Sequence, residues 1–203
     1  MGKTVHKFQF TDHNRTLEEI KSYYDKVLSS LEYRYSKNRN IEYNIIFAGK
    51  TEKDVETEFE NLKEELSIEG AFELLAFLEK EFRTDCYIRC TKRYRDDLSK
   101  AFKHEYKKVG KVQYKISFLD VIIEGWKNKM LSNDPHNQVV LNLFSEINDK
   151  FGFRNWIAHG RYWGFPYHKG KHNFDAVWLM VNAVETVIGT QFYRYEPVGE
   201  KYL

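Results

Sequence analysis

Apolar positions along this chain recur mostly at helical spacing. Leu17, Ile20, Tyr24, Val27, Leu28 and Leu31 fall on one face of a helix that Thr16 or Asn14 can cap and that runs to about Tyr35. The stretch IEYNIIFAG (41–49) alternates poorly and fits either a short strand or a helical turn. Thr51 and Asp54 have capping-box spacing and open an acidic helix. Ile68, Phe72, Leu75, Leu78 and Phe82 then form an apolar stripe. A basic helix is expected over about 86–108, interrupted by Gly110. Residues 116–131 (ISFLDVIIEGWKNKML) are apolar nearly all round, which predicts a central helix. Asn133, Asp134 and Pro135 make a turn. Val139, Val140, Leu143, Phe144 and Ile147 belong to the next helix, which Gly152 is expected to break or bend. The last helix opens at Asn173 or Asp175 and buries Val177, Trp178, Val181, Val184 and Ile188. Strand signals are scarce, and all three prolines lie beyond residue 134. The pattern therefore predicts an all-α fold, a bundle of about five to seven helices.

Composition narrows the class. With 203 residues, 42% hydrophobic and 31% charged, the chain suits one folded domain rather than a disordered segment. No apolar run approaches the roughly 20 residues of a membrane helix, and the first residues lack the apolar core of a signal peptide, so no membrane association and a cytoplasmic location are expected. Cys86 and Cys90 stand at i,i+4 and read as reduced thiols. The net charge of +2 is small, but it is unevenly spread. Residues 52–81 carry 11 acidic and 3 basic side chains, whereas residues 92–115 carry 9 Lys or Arg against 3 acids. In the basic block Tyr94, Phe102, Tyr106 and Tyr114 are interleaved with the cations. Cations attract phosphate and aromatic rings stack on unpaired bases, so Lys103, Lys107 and Lys111 are candidate RNA contacts. The competing reading is a solvated face that pairs with residues 52–81.

The most informative stretch is FRNWIAHGRYW, residues 153–163. On a short helix closed by Gly160, Asn155 and His159 lie about 40° apart and share a face. Arg154 lies roughly 140° from His159 and must curl round the helix or act from the side. Trp156, Ile157 and Phe153 can pack inward. The polar edge then carries a cation, an amide and an imidazole. Such a set suits RNA cleavage without metal. A His can take the proton of a ribose 2′-OH, an Arg can bind the phosphate through two hydrogen bonds, and an Asn can orient either. The products would be a 2′,3′-cyclic phosphate and a 5′-OH. One His per chain leaves the acid for the leaving group unassigned, and a second copy across a twofold axis could supply it. The competing reading is a buried His and Arg satisfied by backbone carbonyls.

RNWIAH resembles the signature of HEPN domains, in which an Arg followed by a polar residue precedes a His by four to six residues. Arg154 and His159 enclose four residues, and Asn155 is the polar follower. The resemblance is sharp over 153–163 and looser over 68–190. It implies an all-α bundle of four or five helices, placed here over 61–195; residues 1–60 fall outside the match and are read as an N-terminal helical extension packed on it, and 196–203 as a short tail. It further implies a metal-independent endoribonuclease acting as a homodimer, in a toxin or antiviral defence role, without a cofactor. Arg154, Asn155 and His159 would be catalytic, and Arg161, Tyr162 and Trp163 would line the RNA path. A cognate antitoxin or defence-system protein would be a partner. In one subgroup a Tyr two residues beyond the His accepts AMP; that position here is Arg161. Non-catalytic modules that bind RNA or protein also occur in the family, and an antitoxin-like subunit using the acidic block is a further alternative. His168 and His172 have H-x3-H spacing but no acidic general base between them, so no metal site is expected there. Glu69 and Glu73 are candidates to support the Arg.

Overall fold

The computed structural model describes residues 15–36, 45–161 and 164–194. Among them lie six α-helices and no strand: α1 (Leu17–Tyr35), α2 (Glu52–Thr91), α3 (Asp97–Lys108), α4 (Glu124–Met130), α5 (Gln138–Ala158) and α6 (Phe174–Val187). Single 3-10 turns occupy Gln113–Lys115 and Gly189–Gln191, and a π-helical segment, Phe118–Ile123, runs directly into α4. The all-α bundle expected from the periodicity is the fold. None of these helices is long and apolar enough to cross a membrane.

α2 is the spine. Its 40 residues span about 60 Å. Thr51 starts it with a capping box: the Thr51 hydroxyl accepts from the Asp54 N–H at 3.2 Å, and the Asp54 carboxylate accepts from the Thr51 N–H at 3.0 Å. Thr16 and Glu19 make the same reciprocal pair at the start of α1. α1, α3, α5, α6 and the π-helical segment all pack on α2. Its Ile68, Leu74, Leu75, Leu78 and Phe82 are buried in one core with Ile20 of α1, Trp126 of α4, Ile147 and Phe151 of α5, and Val177 and Val181 of α6. Gly70 permits the closest approach: a Cβ there would come within 2.6 Å of the Phe174 ring, which stacks on Tyr24 with centroids 3.7 Å apart. A separate, smaller cluster of Tyr35, Phe47 and Val55 covers the first turns of α2. Within the ambiguous stretch 41–49, Ile45–Ile46 are helical and 47–49 form a turn; 41–44 lie outside the described residues.

Two boundary expectations are corrected. The basic segment is not one helix over 86–108. α2 continues to Thr91, residues 92–96 break the helix, and α3 begins only after Asp96, whose carboxylate caps the Ser99 N–H at 3.0 Å. Arg89 also binds Asp96 at 3.2 Å, which holds the break against the core. Gly152 does not break the helix. α5 passes through it, because Phe151 and Phe153 on either side are buried, and burial of two aromatics outweighs the ~1 kcal/mol helix penalty of glycine.

Candidate active site

The RNWIAH motif forms the last turn of α5. Ala158 is its final residue, and the His159 N–H donates to the Asn155 carbonyl at 3.1 Å. Gly160 adopts φ +77°, which glycine takes without strain, as the expected cap. Its N–H donates to the Ile157 carbonyl, and the Arg161 N–H reaches back to the Trp156 carbonyl, both at 2.9 Å. These two bonds are the Schellman closure. The side chains divide as the helical wheel requires: Phe153 is fully buried, Trp156 and Ile157 are half-buried, and Asn155 and His159 are exposed on one edge.

Arg154 turns towards α2. Its Nη2 lies 2.9 Å from Glu79 Oε2, its Nη1 donates to Asn155 Oδ1 at 3.4 Å, and its guanidinium carbon lies 5.7 Å from the centre of the Phe72 ring. Its Nε is buried and has no hydrogen-bond partner. Glu79 uses its other oxygen to accept from Arg83 Nε at 2.7 Å. One carboxylate thus sits between two guanidiniums, and the trio carries a net charge of +1. The partner of Arg154 is Glu79; of the two glutamates suggested by the sequence, Glu73 binds Arg15 at 3.0 Å and Glu69 is exposed. No local spacing marks Glu79, which is 75 positions away from Arg154 in the chain.

Arg161 makes a two-pronged pair with Glu65, at 2.8 and 2.9 Å. Arg161 holds the Glu65 carboxyl below its ordinary range, and Glu65 in turn raises Arg161. Lys169 reaches Glu64 at 3.2 Å, so the loop after the motif is tied to the acidic part of α2 near both of its ends. Tyr162 and Trp163 lie outside the described residues. Phe165 and Tyr167 stack over Trp156, with centroids 5.7 and 6.0 Å away. Burial and the nearby Glu64 push the Tyr167 hydroxyl up to about 12.

Beneath this aromatic layer His172 is buried against Phe153, 4.8 Å between ring centres. Its Nδ1 accepts the His168 N–H at 3.1 Å, so Nε2 carries the proton and donates to Asp149 Oδ2 at 3.1 Å. Burial lowers its pKa, against the pull of Asp149. His172 is therefore a packing and loop-locking residue, and His168 is exposed. Among the described residues no three His, Cys, Asp or Glu side chains are placed to hold a metal ion.

The basic block does not pair with the acidic block in the way its charge suggested. Six carboxylates of α2 meet cations from elsewhere in the chain, namely Arg15, Lys50, Arg154, Arg161, Lys169 and Arg194. Lys103 donates to the Tyr94 carbonyl at 2.5 Å, while Lys107 and Lys111 are exposed. Of the interleaved aromatics, Phe102 is core, Tyr94 stacks on Tyr193 and Tyr106 is half-buried. Only Tyr114 of the four stands free of the fold, 75% exposed. Chemically, the α5 terminus offers an imidazole and an amide on one open edge, a cation beside them that is turned towards α2, and a second cation one residue beyond Gly160. Comparison of the chain with models of protein families, with curated proteins and with solved structures finds no match.

Proposed function

We propose that this chain is a metal-independent endoribonuclease of the HEPN type. The observation that carries the reading is the open edge of the last turn of α5. Asn155 and His159 share it, and the Arg154 guanidinium is within hydrogen-bond reach of Asn155. In this reading His159 removes the 2′-OH proton and the attacking oxygen closes on phosphorus. Arg154 offsets charge on the phosphate oxygens, and Asn155 orients the phosphate or Arg154. The protonated His159 of a second copy, facing the first across a twofold axis, supplies the proton that leaves with the 5′-oxygen. The context is a toxin or antiviral defence role with a cognate antitoxin or defence partner. Glu79 fits as the group that holds Arg154 in place.

Incubation of the purified protein with total RNA in EDTA tests the proposal. Cleavage is expected to persist, to leave 2′,3′-cyclic phosphate and 5′-OH ends, to fall roughly 100- to 1000-fold in Arg154→Ala and to vanish in His159→Ala. Undiminished cleavage by His159→Ala, or activity that appears only after Mg²⁺ or Mn²⁺ is added back, overturns it.

One observation favours a second reading, a non-catalytic module that binds RNA or protein. Arg154 and Arg161 are both engaged by carboxylates, so a phosphate must compete with Glu79 and Glu65. RNA binding with no cleavage by the wild-type protein separates this reading from the first.

A further inference from the structure

Tyr114 is more exposed than any other large hydrophobic side chain of the described residues. A single exposed aromatic means little by itself. Its setting is what matters. It projects from a 3-10 turn held by bonds from the Lys115 N–H to the Val112 carbonyl (3.1 Å) and from the Ile116 N–H to the Gln113 carbonyl (3.0 Å). Gln113 and Ile116, on either side of it, are buried at 6% and 2% exposure. The turn is also bolted to α2: Gln113 Nε2 donates to the Arg83 carbonyl at 2.8 Å, and Arg83 Nη1 donates back to the Ile116 carbonyl at 3.4 Å. The ring is therefore presented to solvent by backbone that is fixed on both sides.

The same contacts lead to the α5 motif. Arg83 binds one oxygen of Glu79 and Arg154 binds the other. Lys111 and Lys115 flank Tyr114 in the chain, and both are exposed. Lys107, one turn earlier at the end of α3, is exposed as well. Lys107, Lys111 and Lys115 thus stand close to Tyr114 along the chain, and the bonds of the turn lead through Arg83 and Glu79 to Arg154.

We propose that Tyr114, with Lys111, Lys115 and Arg83, is a second contact for single-stranded RNA, in which one unpaired base stacks on the tyrosine ring and the adjoining phosphates meet the cations. Stacking requires an unpaired base, so the site selects single strands over duplex. It carries no base-specific hydrogen bonds and tolerates any sequence. An RNA held there lies on the Arg83 side of the motif, with its chain led towards Arg154. The site rests on the reading of the chain as an RNA-binding protein, but not on catalysis by His159.

The test is anisotropy of a labelled single-stranded 2′-O-methyl oligonucleotide of about 12 nucleotides, which lacks the 2′-OH and stays intact. Tyr114→Ala is expected to weaken binding roughly 5- to 150-fold, while Tyr114→Trp retains it. Lys111→Glu with Lys115→Glu is expected to weaken binding and flatten its salt dependence. Binding of the corresponding duplex should not change in Tyr114→Ala. Wild-type affinity in Tyr114→Ala, an equal loss on duplex, or no binding by the wild-type protein overturns the proposal. Tyr114-dependent binding without cleavage of total RNA leaves this site standing and removes the endoribonuclease reading. Cleavage that depends on His159 but not on Tyr114 does the reverse.

Discussion

Arg89 and Arg154 both meet a carboxylate of α2, and the two corners they build are opposites. Arg89 is 2% exposed and lies between the rings of Trp126 and Tyr193, 5.0 and 4.5 Å from their centres. Its Nε binds Asp85 at 2.8 Å, Nη1 meets Asp96 and Ser99, and Nη2 donates to the Gln191 carbonyl at 3.0 Å. Asp85 is fully buried and also accepts from Trp126 Nε1 and the Tyr193 N–H. Burial pushes its carboxyl up, and Arg89 draws it back. Arg89 and Asp85 are enclosed while Asp96 reaches the surface, and the group fastens the chain after α6 to the end of α2. Arg154 is 28% exposed, keeps a buried Nε without a partner, and stands beside two exposed polar side chains. In the first corner the Arg89–Asp85 pair is closed off from solvent. The second is open to solvent beside Asn155 and His159.

The two corners differ most under mutation. Arg89→Leu leaves Asp85 buried without its counter-charge, and a loss of about 3–5 kcal/mol of stability is expected in urea denaturation. Arg89→Leu combined with Asp85→Leu should recover part of that loss, because the stranded charge is gone. A single variant within about 1 kcal/mol of wild type would show that the enclosed corner is not held by this pair.

Arg154→Ala should behave in the opposite way. Its pair with Glu79 is partly solvated, so stability should fall by no more than about 1 kcal/mol. The proposed RNA cleavage should instead slow roughly 100- to 1000-fold, the usual loss when one group that stabilises developing charge is removed. Large unfolding with an unchanged specific rate would place Arg154 in the same class as Arg89.

A third measurement concerns the layer beneath the motif. The folded pKa of His172 lies below the ordinary value of 6.5, so at mildly acid pH the unfolded chain binds more protons than the folded one. The stabilisation is complete above about 6.5 and is lost as pH falls from there towards the folded value. His172→Phe should flatten that part of the stability–pH profile. A profile identical to wild type would remove His172 from the account.

The smallest effect is expected at Arg161→Ala. An exposed pair with Glu65 contributes roughly 0.2–1 kcal/mol, and less at high salt. A larger, salt-independent loss would mean that the loop after the motif is held as firmly as the Arg89 corner.

The sequence alone determined the parts of this protein that depend on neighbours within four positions. The capping pair Thr51–Asp54, the choice of caps at Thr16 or Asn14 and at Asn173 or Asp175, the Gly160 closure and the shared edge of Asn155 and His159 all follow from helical spacing. The apolar stripes of α1, α2 and α6 were legible for the same reason. Tertiary structure decided the rest. Gly152 stays helical because the core buries its neighbours, and the basic segment breaks at 92–96 around Asp96, which also meets Arg89. Phe102 and Tyr114 belong to the same interleaved pattern, yet packing against α2 and α4 sends one into the core and leaves the other in water. The partners Glu79 and Glu65 belong to the same category. Charge acts through space, and which of 11 carboxylates in residues 52–81 meets Arg154 or Arg161 is set by how α5 and the loop after it lie across α2.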